Sequence, residues 1–215
     1  LIICEVGQNH AGNMDIAKIL IQEAVTYSNT MVKFQLYSHE KIYGDEDVPN
    51  CELSFDQAKL LFNFGKDLGI EVFFSVFDLE RIEWCEEIGV KRYKIAYDYK
   101  DNEELVKAVR DTKKPVIISG IDYLCVPKYP ASMGEYMLHD WSLYKGVSDH
   151  TVGMGLAKLC IAKRYDLEKH FAIDHKVGVD AEWSMTPQEL RELVKWQISC
   201  RNRTQSLPKA TSIRF

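Results

Sequence analysis

The stretch LIICEVGQNHAGNMDIAKILIQEAVTYSNTMVKFQ, residues 1–35, decides the fold. Ile2 to Val6 is a short apolar run interrupted by one charge, and Met14 to Tyr27 repeats its apolar side chains at helical spacing. Met31 to Gln35 then alternates apolar and polar residues, as a strand does. Strand, helix and strand in this order form a βαβ unit, whose two strands lie parallel.

The same alternation continues along the chain. Further strands are expected at Glu71 to Phe77, Arg92 to Ala96, Pro115 to Ser119, Tyr123 to Val126, Lys145 to Ser148 and Leu167 to Phe171. Helices are expected between most of them, at Ser54 to Leu68, Leu79 to Ile88, Asn102 to Asp111, Met133 to Leu143 and Gly155 to Lys163, with a last one from Pro187 to Cys200. Ser54, Asp78 and Thr186 are expected N-caps, and Pro187 suits a first helical turn. Eight strands in this pattern point to an α/β fold, a (β/α)8 TIM-type barrel, with an open doubly wound sheet as the alternative. The barrel is expected over residues 1–200 and an extended tail over 201–215. Only Gly120-Ile121-Asp122 separate strands five and six, too few for a crossover of roughly a dozen residues. Either the barrel is irregular there, with Pro115 to Val126 as one strand and turn, or the chain omits a segment.

Composition narrows the class. At 215 residues, 46% hydrophobic and 27% charged, the chain is an ordinary globular protein with enough material for a sizeable core. Its net charge of −5 offers no electrostatic footprint for nucleic acid or an anionic membrane. No apolar run approaches the roughly 20 residues of a membrane span, and a cytoplasmic location is the expectation. The six cysteines are too widely spaced for a zinc site and are expected to be buried thiols.

In a parallel barrel, chemistry sits at the C-terminal ends of the strands. There the sequence is polar at nearly every strand: Glu5 and Asn9 at the first, Lys33 and Gln35 at the second, Ser75 at the third and Lys94 at the fourth. Ser119, Tyr129, Ser148 with His150, and Glu168 with His170 follow. Period two puts Lys33 with Gln35, Ser148 with His150, and Glu168 with His170 on common faces, and charges in such apolar strands are costly unless they face a pocket. Two histidines at neighbouring strand ends are candidate metal ligands, or hydrogen-bonded structural residues. Two lysines suit an anionic phosphate or carboxylate, or else salt bridges with Glu5 or Glu168. The serines could line the same cradle or serve as local caps.

The segment Ile3-Cys4-Glu5-Val6-Gly7-Gln8-Asn9-His10-Ala11-Gly12 resembles the opening of the N-acetylneuraminate (sialic acid) synthase family. Val32-Lys33-Phe34-Gln35, Tyr93-Lys94-Ile95-Ala96, Gly146 to Gly153 and Glu168-Lys169-His170-Phe171 extend the resemblance in order. It implies a barrel enzyme, a transferase that condenses phosphoenolpyruvate with an open-chain N-acylamino sugar, N-acetylmannosamine or a relative, to a nine-carbon 2-keto acid with release of phosphate. It implies a divalent metal, manganese or magnesium, on His150 and His170. Lys33, Gln35, Ser75, Lys94, Ser119, Ser148 and Asn9 fall to substrate binding, Glu5 to acid/base chemistry, and Tyr129 and Asp180 to the sugar side. A homodimer is also part of what the family implies. The chain departs from the family at Tyr97, usually a serine, and at Pro127. Set against the family, residues 1–215 are expected to carry neither the helix between strands five and six nor the C-terminal antifreeze-like domain. The alternatives are a barrel that binds an anionic sugar or metal without turnover, and a metal-dependent aldolase or epimerase of sugar phosphates.

Overall fold

The computed structural model describes residues 1–205 except residue 26, with side chains as far as Cys200. Eight parallel strands are present: β1 Ile2–Gly7, β2 Thr30–Leu36, β3 Glu71–Val76, β4 Tyr93–Ile95, β5 Val116–Ile118, β6 Tyr123–Cys125, β7 Gly146–Asp149 and β8 Asp166–His170. They hydrogen-bond in the order β5-β4-β3-β2-β1-β8-β7-β6, and the outer pair meet at a single parallel bridge between Ser119 and Tyr123. The result is a nearly closed (β/α) barrel, as the alternation requires.

The helices are α1 Met14–Val25, α2 His39–Tyr43, α3 Phe55–Leu68, α4 Leu79–Ile88, α5 Glu103–Asp111, α6 Met133–Met137, α7 Gly155–Ala162 and α8 Pro187–Gln205. Ser54 caps α3 in a reciprocal capping box with Gln57, Asp78 accepts from the Arg81 N–H, and Thr186 pairs with Glu189 in the same way. Two helical expectations are corrected. The span Met133 to Leu143 breaks after α6 because Asp140 accepts the Ser142 N–H at 3.0 Å and starts a separate 3-10 turn, Trp141–Leu143. The last helix continues past Cys200 to Gln205, into the expected tail, whose remainder lies outside the described residues. No described helix is long and apolar enough to cross a membrane.

Strands five and six resolve into two three-residue strands joined by a turn, rather than one strand and turn. Asp122 supplies the turn: its carboxylate accepts the Ile118 N–H at 2.9 Å and its own N–H donates to the Ile118 carbonyl at 2.8 Å. The chain steps sideways there without a helical crossover. This is possible because β5 pairs along its length with β4, and β6 with β7.

Period two sorts each strand between two environments. Outward residues such as Val32, Phe34, Phe74 and Leu167 join the helices in the main core. Inward residues form an apolar floor of Ile3, Phe73 and Tyr123, with Leu1, Met31 and Ile117 against it. One step up the same strands, the inward positions are Glu5, Lys33, Ser75, Lys94, Ser119, Ser148 and Glu168, all buried. The five described cysteines from Cys4 to Cys160 are free and buried, and Cys200 is partly so.

The tightest helix-to-sheet approach is at Gly65 of α3, where a Cβ would stand 2.3 Å from Cγ2 of Val72. Gly65→Ala is therefore expected to lower stability by about 1–3 kcal/mol through overpacking. Urea denaturation measures this, and an unchanged midpoint would mean that α3 does not rest on β3 at this point.

Candidate active site at the strand C-termini

The upper layer of the barrel interior is a charge network. Lys33 pairs with Glu5, donates to Ser75 Oγ at 2.6 Å and lies 3.3 Å from Glu168 Oε1. Lys94 lies 2.5 Å from Glu168 Oε2 and 2.7 Å from Ser119 Oγ. Ser148 donates to the same Glu168 oxygen at 2.5 Å, and Gln35 Nε2 donates to Glu5 Oε1 at 3.1 Å. Both readings of the lysines thus meet in one place: they are salt-bridged to glutamates, and they border a small cavity lined also by Tyr97, Tyr129, His150 and His170. Burial opposes charge on Glu168, but Lys94 and Lys33 outweigh it and hold the carboxyl below its ordinary range. Burial likewise opposes charge on Lys33, and Glu5 and Glu168 raise its pKa nevertheless.

His150 and His170 end β7 and β8 with ring centroids 5.6 Å apart. His150 Nδ1 lies 2.8 Å from the Val126 carbonyl, which can only accept, so the ring's proton sits on Nδ1 and Nε2 keeps its lone pair. Burial, with the neighbouring His170, pushes the His150 pKa down to about 3. His170 Nδ1 stands 3.2 Å from Asp180 Oδ2, off the line of a good hydrogen bond. Burial disfavours charge on His170, but Asp180 prevails and raises its pKa, while His170 lowers that of Asp180. A carboxylate behind one imidazole and a carbonyl behind the other is how metal-binding histidines are commonly oriented. The pair therefore suits a divalent ion through two protein nitrogens; among the described residues no set of three His, Cys, Asp or Glu side chains converges. Tyr129 covers the pair, its ring 4.3 Å from that of His150 and half exposed at the mouth.

Asn9 is placed differently from the rest. It is fully buried and spends its side chain inside the protein, donating to Ser184 Oγ at 2.9 Å and accepting the Asp180 N–H at 2.8 Å. It holds the segment that carries Asp180 and does not line the cavity.

A model of the NeuB family matches residues 46–124 and 121–209. The chain belongs to the NeuB family. The two matched stretches meet at the β5–β6 turn, which places the break in the family pattern where the barrel lacks its crossover. Among relatives of this NeuB chain, N,N'-diacetyllegionaminic acid synthase of Legionella pneumophila is 28% identical over 249 aligned positions, covering 90% of this chain and 70% of that protein. Human N-acetylneuraminate-9-phosphate synthase is 26% identical, covering 90% and 68%. A solved N-acetylneuraminic acid synthetase from Leptospira borgpetersenii, in complex with citrate, superposes with a TM-score of 0.80 at 25% identity, covering 98% of this chain and 86% of that one. At 11% identity, a truncated 3-deoxy-D-arabino-heptulosonate 7-phosphate synthase from Thermotoga maritima shares the fold, with a TM-score of 0.69.

Sequence reading offered Glu168 as a salt-bridge partner for the lysines, and the structure shows it tying both together. Tyr136 was missed. Its hydroxyl accepts the His150 N–H at 3.1 Å and donates to the Ser148 carbonyl at 2.7 Å, clamping β7 from outside. Nothing in the sequence of that segment shows that its side chain turns inward.

The depressed His150 pKa has a pH signature in the metal-free protein. Between about 3 and 6.5 the unfolded chain binds a proton at His150 that the folded chain refuses, so this group costs stability as pH falls below 6.5. His170 acts in the opposite sense, so the comparison is made against a variant. From about pH 7 to 5, His150→Gln is expected to lose less of its urea midpoint than the parent. The His150 ring resonances should also stay constant over that range, and a titration near 6.5 would overturn the assignment.

Proposed function

We propose that this NeuB-family chain is a transferase that condenses phosphoenolpyruvate with the open-chain aldehyde of an N-acylamino sugar, N-acetylmannosamine or a relative. The product is a nine-carbon 2-keto sugar acid, and phosphate is released. One observation carries the reading: Lys33, Lys94, Ser75 and Ser119 line the same small cavity as Glu5 and the His150–His170 pair, with Ser148 beside them, 3.4 Å from Lys94 Nζ and 3.3 Å from Ser119 Oγ. Cationic and hydroxyl donors serve one end, and the two imidazoles the other.

In this reading the ammonium groups of Lys33 and Lys94, with the three hydroxyls, bind the phosphate and carboxylate and neutralise charge as it develops. A divalent metal, manganese or magnesium, held by His150 and His170 would supply Lewis-acid polarisation of the aldehyde oxygen. The enol carbon bonds to the aldehyde carbon, leaving positive character at the carbon that bears the phosphate. Water adds to that carbon and gives one proton by way of Glu5 to the new alkoxide; the hydroxyl left on that carbon becomes the keto group as phosphate leaves with the electrons of the C–O bond and takes the second proton. Gln35 holds the Glu5 carboxylate towards the cavity through the 3.1 Å hydrogen bond. Asp180 fixes the His170 ring, and Tyr129 at the rim faces the sugar.

Phosphate release is expected only when phosphoenolpyruvate, a divalent metal and an acylamino hexose are all present. His150→Ala should cut that rate by about a hundredfold or more while the thermal melt stays cooperative. Phosphate release without the sugar, or an unaffected His150→Ala rate, would overturn the reading. Tight phosphoenolpyruvate binding with no turnover across a panel of sugars would instead mark a binding barrel.

A further inference from the structure

The cavity beside Lys94 is small for its proposed work. Its volume is about 50 Å³. That is space for a few waters at roughly 10–15 Å³ each, whereas ligand pockets begin at roughly 300 Å³. An organic phosphate enters only if a side chain gives way.

Most of the lining is fixed. The lysines, glutamates and serines stand on strands and are tied to one another by the contacts above. Tyr97 is different. It follows β4 in a short 3-10 turn, Tyr97–Tyr99, is half-buried, and its hydroxyl makes no hydrogen bond among the described residues. Its ring rests on Gly120 of the β5–β6 turn, where a Cβ would lie 2.7 Å from Cε2 and 2.8 Å from Cδ2. Gly120 also has φ +81°, so the seat requires glycine twice over. Lys100 Nζ sits 4.9 Å from the ring centroid. Lys100 and Ile121, the residue after Gly120, line a surface groove of about 520 Å³ along α5. The ring thus has the cavity on one side and open space near the other.

We propose that Tyr97 is the specificity-determining residue of the anionic end. With its ring seated on Gly120 the cavity takes a compact oxyanion, and it takes a ligand the size of phosphoenolpyruvate only with the ring swung towards the Lys100–Ile121 groove. The inference rests on the anion-binding role given above to Lys33 and Lys94, but not on turnover. It follows from the short β5–β6 turn, which supplies both the seat and the room.

The test is calorimetry on the full chain with two probes, inorganic phosphate and phosphoenolpyruvate. Tyr97→Phe keeps the ring and should leave both affinities within about twofold of the parent, since no hydroxyl contact is lost. Tyr97→Ala removes the ring and should tighten phosphoenolpyruvate by about tenfold or more, the scale of relieved overpacking, while phosphate moves by less than about threefold. A Tyr97→Ala variant that tightens both probes equally, tightens neither, or binds no anion overturns the proposal. If the affinity ratio shifts as expected but no variant releases phosphate with any sugar, the size gate stands and the synthase reading falls.

Discussion

Inside the barrel, Glu168 holds the ammonium groups of Lys33 and Lys94 with its two oxygens, 3.3 and 2.5 Å away, and Glu5 takes the other side of Lys33. Two cations and two anions so deeply buried are tolerable only as a set, because removing one partner of a buried pair costs about 3–5 kcal/mol by stranding the other. Balance is what lets a barrel interior hold reactive charge in the absence of a ligand. It also fixes geometry: Ser75 and Ser119 accept from the lysines and Ser148 donates to Glu168, because their hydroxyls complete the solvation that water would otherwise supply.

The charged layer can exist only because something apolar closes the barrel beneath it. Ile3, Phe73 and Tyr123 do so from inward positions one step below Glu5, Ser75 and Cys125. The histidines sit one step above, where the strands end and solvent begins. His150 is held by the Val126 carbonyl and by the Tyr136 hydroxyl, and His170 by Asp180. Asp180 in turn is held by Asn9, which makes the first loop of the chain a support for the last strand. Beneath the helices, Lys169 and Asp149 form a wholly buried pair 3.2 Å apart, on the outward faces of the two residues next to the histidines. The β7 and β8 ends are therefore braced on both faces.

The β5–β6 turn is where this NeuB chain departs from a regular barrel. Four residues replace a crossover, two strands shrink to three residues each, and the ring of Tyr97 comes to lie on Gly120. The irregularity touches the site directly because Ser119, a partner of Lys94, is the first residue of that turn. A structural economy at the seam thus becomes a property of the anionic pocket.

Strand and helix order, the barrel class and the polar strand ends were all legible in the sequence. Local periodicity and capping chemistry are short-range, and period two alone puts Glu5 above Ile3 and Lys33 above Met31 on inward faces. Which partners those residues find was legible only as an alternative, salt bridges with Glu5 or Glu168, because Lys33 meets Ser75 across 42 positions and Lys94 meets Glu168 across 74. Such contacts are set by how the strands close, not by neighbours in the chain. The same holds for Asn9, whose place in a polar strand-end motif suggested a ligand contact until the fold brought Ser184 and Asp180 to its amide. The sequence by itself determined which residues could carry charge into the barrel and at what height. Only the tertiary structure decided how those charges pair, because pairing depends on strand register and on the closing turn between β5 and β6.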